Sequence, residues 1–177
     1  CYSLTVENGT QLYNLVKNNK VAMPLDDESF HFYDWTQQFL LENHYHQYEV
    51  SNWSKDNKKC FHNLHYWRIE PYLAFGPSAH GFDGEIRYSN IRNIDTYIKS
   101  LDKNNLPIQN QEELTEKNMA NEIIGFGLRM EEGFKINKIP NSQISILNQN
   151  IKKFESKWGK YMHNQNGRLS LKSDGMR

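Results

Sequence analysis

Between Asn141 and Gly159 the apolar residues Ile144, Leu147, Ile151, Phe154 and Trp158 follow one another in three- and four-residue steps. Only an α-helix gathers that spacing onto one face. Asn141 or Ser142 supplies its N-cap and Gly159 its end. An earlier pattern, capped by Thr115, repeats the device with Met119, Ile123, Phe126 and Met130 up to Gly133. Asn166-Gly167 then stands between Tyr161-Met162 and Leu169 to Leu171, the turn dipeptide of a two-residue hairpin. Two amphipathic helices, each with a face to bury, and a closing hairpin restrict this half to the outline of a winged helix.

The pattern changes near residue 100. From Asp26 to His44 the spacing of Phe30, Tyr33, Leu40 and Leu41 predicts a helix, with Asp26-Asp27-Glu28 favourably placed at its positive end. Tyr48-Glu49-Val50-Ser51 reads as a strand, and Tyr72-Leu73-Ala74-Phe75 as another ending at Gly76-Pro77. The expected class is α/β, with one unit over 1–100 and a second over 101–177.

The chain has 177 residues, enough for one good core or two small ones, and at 37% hydrophobic it suits a soluble globular fold. Lys+Arg and Asp+Glu number 21 each, so no global field draws nucleic acid or an anionic membrane. No apolar run nears the roughly 20 residues of a membrane span, and no signal-peptide pattern opens the chain, so a cytoplasmic location is expected. Its two cysteines, Cys1 and Cys60, encode neither a disulfide framework nor a cluster site. The first residues, Cys1-Tyr2-Ser3-Leu4-Thr5-Val6, read as a buried strand before the turn-like Glu7 to Thr10. At the other end, strand-like Arg168 to Leu171 runs into Lys172-Ser173-Asp174-Gly175 without a closing element. A fragment cut at both ends is the expectation.

Ligand chemistry concentrates between Cys60 and Asp83, in CFHNLHYWRIEPYLAFGPSAHGFD. Cys60, His62 and His65 have zinc-ligand chemistry, but a closed site requires a fourth donor. Haem requires an axial imidazole, flat side chains against the macrocycle and a cation near the propionates, and His62, Tyr66, Trp67 and Arg68 supply each type. The same residues also suit an ordinary half-buried cluster that hydrogen-bonds within the fold. The small residues of Gly76-Pro77-Ser78-Ala79-His80-Gly81 allow a ligand to approach the backbone after a buried strand, or simply make a tight turn. They complete no phosphate-loop or dinucleotide fingerprint.

Taken in order, Tyr2 to Glu7 with Gly9-Thr10, Tyr48 to Asn52, His62-Asn63 with Tyr66-Trp67, and Gly76 to His80 resemble the HemW family. That family is a branch of the radical SAM proteins related to oxygen-independent coproporphyrinogen III oxidase. The likeness continues through Arg87, Asn90 and Leu128-Arg129 with Glu132-Gly133. The His-Asn-x-x-Tyr-Trp element sets this branch apart from the oxidase.

The resemblance implies the last part of a partial (β/α) radical SAM barrel over 1–100, followed by a helical, winged-helix-like C-terminal domain over 101–177. It implies haem as ligand, with His62 on the iron and Asn63, Tyr66 and Trp67 completing the motif, and an acceptor haemoprotein as partner. It places contacts to S-adenosyl-L-methionine near Ser3 and His80. It also implies a [4Fe–4S] cluster on a three-cysteine motif for the full-length protein, a motif this chain does not carry, so no radical chemistry is expected of it alone. A homodimer stays open.

Three departures from the family pattern stand out. Ser54-Lys55 is followed by Asp56-Asn57-Lys58-Lys59 instead of Pro-Gly, His44-Tyr45 replaces Gly-Tyr, and Gly81 stands where Ser is common. Two other functions are weighed against the haem chaperone. One is oxidative decarboxylation of coproporphyrinogen III. The other is nucleic-acid binding by a basic tail of Lys152, Lys153, Lys157, Lys160, Arg168, Lys172 and Arg177 against Glu155 and Asp174. No aromatic interleaving is read into that tail, and no nucleic-acid partner is expected.

Overall fold

The computed structural model describes residues 1–172, 175 and 176; Ser173, Asp174 and Arg177, the last two counted in the basic tail, lie outside the described residues. Residues 1–6 form no strand. Tyr2 and Leu4 are about two-thirds exposed, and the segment is tied down at its start, where the Cys1 amino group donates to Ser51 O at 2.8 Å. The alternating pattern is that of a strand, but a strand needs a neighbour for its backbone groups, and the described residues offer it none.

Helix α1 spans Gln11–Lys17, capped by the Thr10 hydroxyl, which accepts from Tyr13 N. Helix α2 spans Asp26–Glu42, close to its expected limits, with Glu28 reaching back to Leu25 N. Its buried side differs from the expected one: Tyr33 and Leu40 are half-buried, whereas Phe30 and Leu41 are exposed. Strands β1, Tyr45–Glu49, and β2, Asn52–Lys55, form an antiparallel hairpin. The Glu49 carboxylate holds its turn by accepting from Ser51 N and Asn52 Nδ2. Helix α3, Phe61–Trp67, carries the histidine motif. Of the strand expected at 72–75, only Tyr72 pairs, with Phe82.

Strands β3, His80–Phe82, and β4, Ile86–Asn90, are followed by α4, Ile94–Asp102, and β5, Ile108–Glu113. The three strands make an antiparallel sheet in the order β3-β4-β5, which reaches across the expected division near residue 100. The class is mixed α/β, as expected, and every ladder between named strands is antiparallel among the described residues.

Helix α5 runs from Glu116 to Gly127, with Thr115 accepting from Asn118 N. It stops short of Gly133 because Arg129 to Glu131 leave the helix to pair with β1: Val50 N donates to Arg129 O and Glu131 N to Tyr48 O. Strand β6, Phe134–Lys135, follows. Helix α6, Asn141–Trp158, has Pro140 and not Asn141 or Ser142 at its N-cap. Strands β7, Met162–Gln165, and β8, Arg168–Leu171, form the expected hairpin about Asn166-Gly167. The sheet order β6-β8-β7 completes the winged-helix outline. Its core joins Ala120, Ile123, Phe134, Ile139, Leu147 and Leu169. Gly133 is required where β6 meets β8: its φ is +62°, and a Cβ there would lie 2.0 Å from the Leu169 carbonyl oxygen.

Candidate functional site

A seven-residue helix is too short to be stable alone, so α3 depends on what it buries. Leu64 lies in a small core with Tyr48 and Met130, and Trp67, one turn on, packs against the same group. Three- and four-residue spacing sends Leu64 and Trp67 to the inner face and His62 and Tyr66 to the outer one. The His-Asn-x-x-Tyr-Trp spacing is therefore one helical turn. It places Tyr66 Oη 3.1 Å from His62 Nε2, with the two rings edge to face at 5.0 Å. Tyr72 meets Tyr66 in the same way at 4.7 Å, which extends the aromatic wall.

The two motif histidines have different surroundings. His62 is exposed, and its Nε2 meets the hydroxyl of an exposed tyrosine. His65 has acceptors at both ring nitrogens, with Pro71 O 2.6 Å from Nε2 and a Glu70 carboxylate oxygen 2.7 Å from Nδ1. His65 thus clamps the loop leaving α3. Cys60, His62 and His65 do not assemble a zinc site: no three metal-binding side chains of the His, Cys, Asp or Glu type converge among the described residues.

Trp67 is a packing residue. The Arg129 guanidinium lies over its ring at 4.9 Å and Phe126 approaches at 5.7 Å. Arg129 in turn reaches Glu49, which is fully buried, at 2.5 Å. Arg68, expected near an anionic group, donates through Nε to Glu132 at 2.9 Å. Asn63 is half-buried on the flank of the helix.

Tyr66, Trp67 and His80 do come together. With Tyr72, Phe82 and Arg87 they line a cavity of about 270 Å³ between α3 and the β3-β4-β5 sheet. Arg87, one of its lining residues, is fixed by a two-pronged ion pair with Glu122, at 2.8 and 2.7 Å, which raises the guanidinium pKa above its ordinary value. Ser3 lies elsewhere, in a cavity of about 550 Å³ with Leu4, Pro24, Phe32 and Tyr33. The two residues assigned to S-adenosyl-L-methionine line different cavities.

The small-residue lip before β3 is held by Asn90, which is 3% exposed. Its side chain donates to the carbonyls of Ala74 and Gly76, and its backbone N–H to Ala79 O. Gly81 is explained by packing: it pairs with Tyr88, and a Cβ at Gly81 would lie 2.2 Å from the Tyr88 ring. The sequence reading did not find the Glu49–Arg129 pair, Asn90 as a stitch, or Tyr72 as part of the wall. For Glu49, Arg129 and Asn90 the one available signal was their place in the family-like elements, and for Tyr72 there was none.

No family model matches the chain. It is 33% identical to the haem chaperone HemW of Bacillus subtilis over 132 residues, which covers 75% of this chain and 35% of that protein. To the HemW of Lactococcus lactis it is 31% identical over 143 residues, 79% of this chain and 36% of that one. To the mitochondrial radical S-adenosyl methionine domain-containing protein 1 of Danio rerio it is 34% identical over 140 residues, 75% of this chain and 32% of that one. The chain spans about a third of the length of these relatives. Its fold is that of part of the radical SAM enzyme coproporphyrinogen III oxidase (HemN) from Escherichia coli, with TM-score 0.61 at 13% identity, covering 91% of this chain and 42% of that one.

Proposed function

This chain belongs to the HemW family over the segment it shares with it, and on that premise we propose that it is a haem-binding segment in which His62 ligates the iron. The difference between the two histidines carries the proposal. To bind a metal through one ring nitrogen, half-buried His65 would have to give up either the Pro71 carbonyl at Nε2 or the Glu70 carboxylate at Nδ1 and unfasten the loop that they hold, whereas exposed His62 gives up at most a hydrogen bond to a surface hydroxyl, worth about 1 kcal/mol. The donor set fits haem: one accessible imidazole on a short helix, with the Tyr66 and Tyr72 rings beside it as flat apolar surface. Asn63 and Trp67 serve differently, Asn63 beside the ligand and Trp67 beneath it as the packing that fixes the helix.

In the longer protein, haem bound here is handed to an acceptor haemoprotein in the cytoplasm, and S-adenosyl-L-methionine and the [4Fe–4S] cluster support that transfer. Cys1 and Cys60 cannot provide the three thiolates of such a cluster. His80, beside Tyr66 in the cavity of about 270 Å³, is the better placed of the two residues assigned to S-adenosyl-L-methionine. Oxidation of coproporphyrinogen III has only the shared fold in its favour.

Haem titration followed at the Soret band tests the proposal. His62→Ala should remove the bound-haem band and leave the far-UV circular dichroism unchanged, since the side chain is exposed. His65→Gln should keep the band while lowering the melting temperature. Equal loss of haem in both variants would reject His62 as the ligand.

A further inference from the structure

A cavity of about 910 Å³ against the winged-helix unit shares no lining residue with the two cavities described above. One wall is α6, through Leu147, Ile151, Phe154 and Trp158, and others are Tyr161 and, from α2, Phe30. Phe154 and Trp158 are nearly half exposed, at 45% and 47%. From Leu147 to Trp158 the wall runs about 16 Å at 1.5 Å per residue, three turns of helix.

The edge of this groove is basic in a regular way. Lys153 Nζ lies 5.3 Å from the Phe154 ring centroid, Lys157 Nζ 4.9 Å from that of Trp158, and Lys160 Nζ 4.5 Å from that of Tyr161. All three rings line the cavity, so each ammonium is held beside one of its lining rings. Each cation–π contact at such an exposed site is worth about 0.5–1 kcal/mol and holds the charge in place. Among the described lining residues there is no Asp or Glu, and Glu155, about 200° round the helix from Lys153 at 100° per residue, flanks the opposite edge of the apolar wall. Lys153 and Lys157 stand one turn apart on α6 and Lys160 follows just past its end, so their complement is a row of carboxylates along one edge of a ligand. A ligand with a single anionic head would use only one of them.

We propose that this groove docks an amphipathic α-helix of a partner protein, apolar on the face that enters and acidic along the edge that meets Lys153, Lys157 and Lys160. An entering helix fills such a groove with anchors at three- and four-residue spacing, and the lysine row fixes its direction and excludes basic helices. The interaction goes beyond the haem reading and does not depend on it.

The test uses the full chain and a fluorescein-labelled designed helical peptide, with Leu at three- and four-residue spacing on one face and Glu along one edge, followed by anisotropy. Saturable binding is expected, with affinity falling about tenfold or more in K153E/K157E and unchanged in K99E/K103E at the C-terminal end of α4. A peptide with the same Leu face and Lys in place of Glu should bind about tenfold more weakly or worse. Equal binding of the two peptides, no binding of the acidic one, or an unchanged affinity in K153E/K157E would overturn the proposal. So would saturation of the groove by sodium dodecanoate in place of the peptide, or sedimentation showing that the chain pairs with itself through this face.

Discussion

Arg129 lies over Trp67, its guanidinium carbon 4.9 Å from the ring centroid, and joins the histidine helix to the buried Glu49. Three family-like elements far apart in sequence, the strand with Tyr48-Glu49, the His-Asn-x-x-Tyr-Trp helix and Leu128-Arg129, thereby meet at one ion pair. Glu49 is fully buried, so its charge has no solvent to fall back on.

Arg129→Ala should therefore be costly, on the order of 3 kcal/mol, because it leaves a buried carboxylate without its cation and with only the Ser51 and Asn52 hydrogen bonds on its other oxygen. Adding Glu49→Gln to that variant should recover part of the loss. Urea unfolding of the single and double variants measures both. A loss below about 1 kcal/mol in Arg129→Ala would show that the pair does not hold α3 in place.

Gly81→Ser should also destabilise, although the resemblance led to the expectation of Ser there. The added Cβ would fall 2.2 Å from the Tyr88 ring, and overpacking of this kind costs about 1–3 kcal/mol. Tyr88→Ala should relieve the clash, so the double variant should be more stable than the sum of the singles predicts. Thermal melts of the four proteins form the cycle; strict additivity would mean that Tyr88 does not set the residue at 81.

The turn between β3 and β4 should weaken in acid. Asp83 Oδ1 accepts from Ile86 N at 2.7 Å and Glu85 N at 2.9 Å, and these backbone bonds lower the carboxyl pKa from its ordinary 3.8. A carboxyl lowered by folding contributes stability that is present above the ordinary value and lost as the pH falls through the folded one. Melting temperature between about pH 5 and 2 should therefore drop more steeply for the parent than for Asp83→Asn, which keeps an acceptor at every pH. Parallel curves would count against this role.

Local chemistry made some elements legible. The apolar period of α6 and the Asn-Gly turn of the β7-β8 hairpin are short-range signals, and both elements lie where the spacing puts them. The end of α5 was not legible, because it is set by pairing of Arg129 to Glu131 with β1. Strand β5 has a single apolar residue, Ile108, at its head and five polar ones after it, so its place on the edge of a sheet leaves almost no pattern. Helix α3 mixes aromatic and polar residues over seven positions, too few for a period to emerge. At the candidate site the residue types were visible and their difference was not. His62 and His65 look alike until Glu70 and Pro71 fold back onto the second.

The iron–histidine bond is the central claim, and resonance Raman spectroscopy of the ferrous haem complex observes it directly. The parent chain and His65→Gln should show the iron–histidine stretching band, and His62→Ala should lack it while remaining folded by circular dichroism. The same band in His62→Ala, at the same frequency, would place the ligand elsewhere and contradict the account.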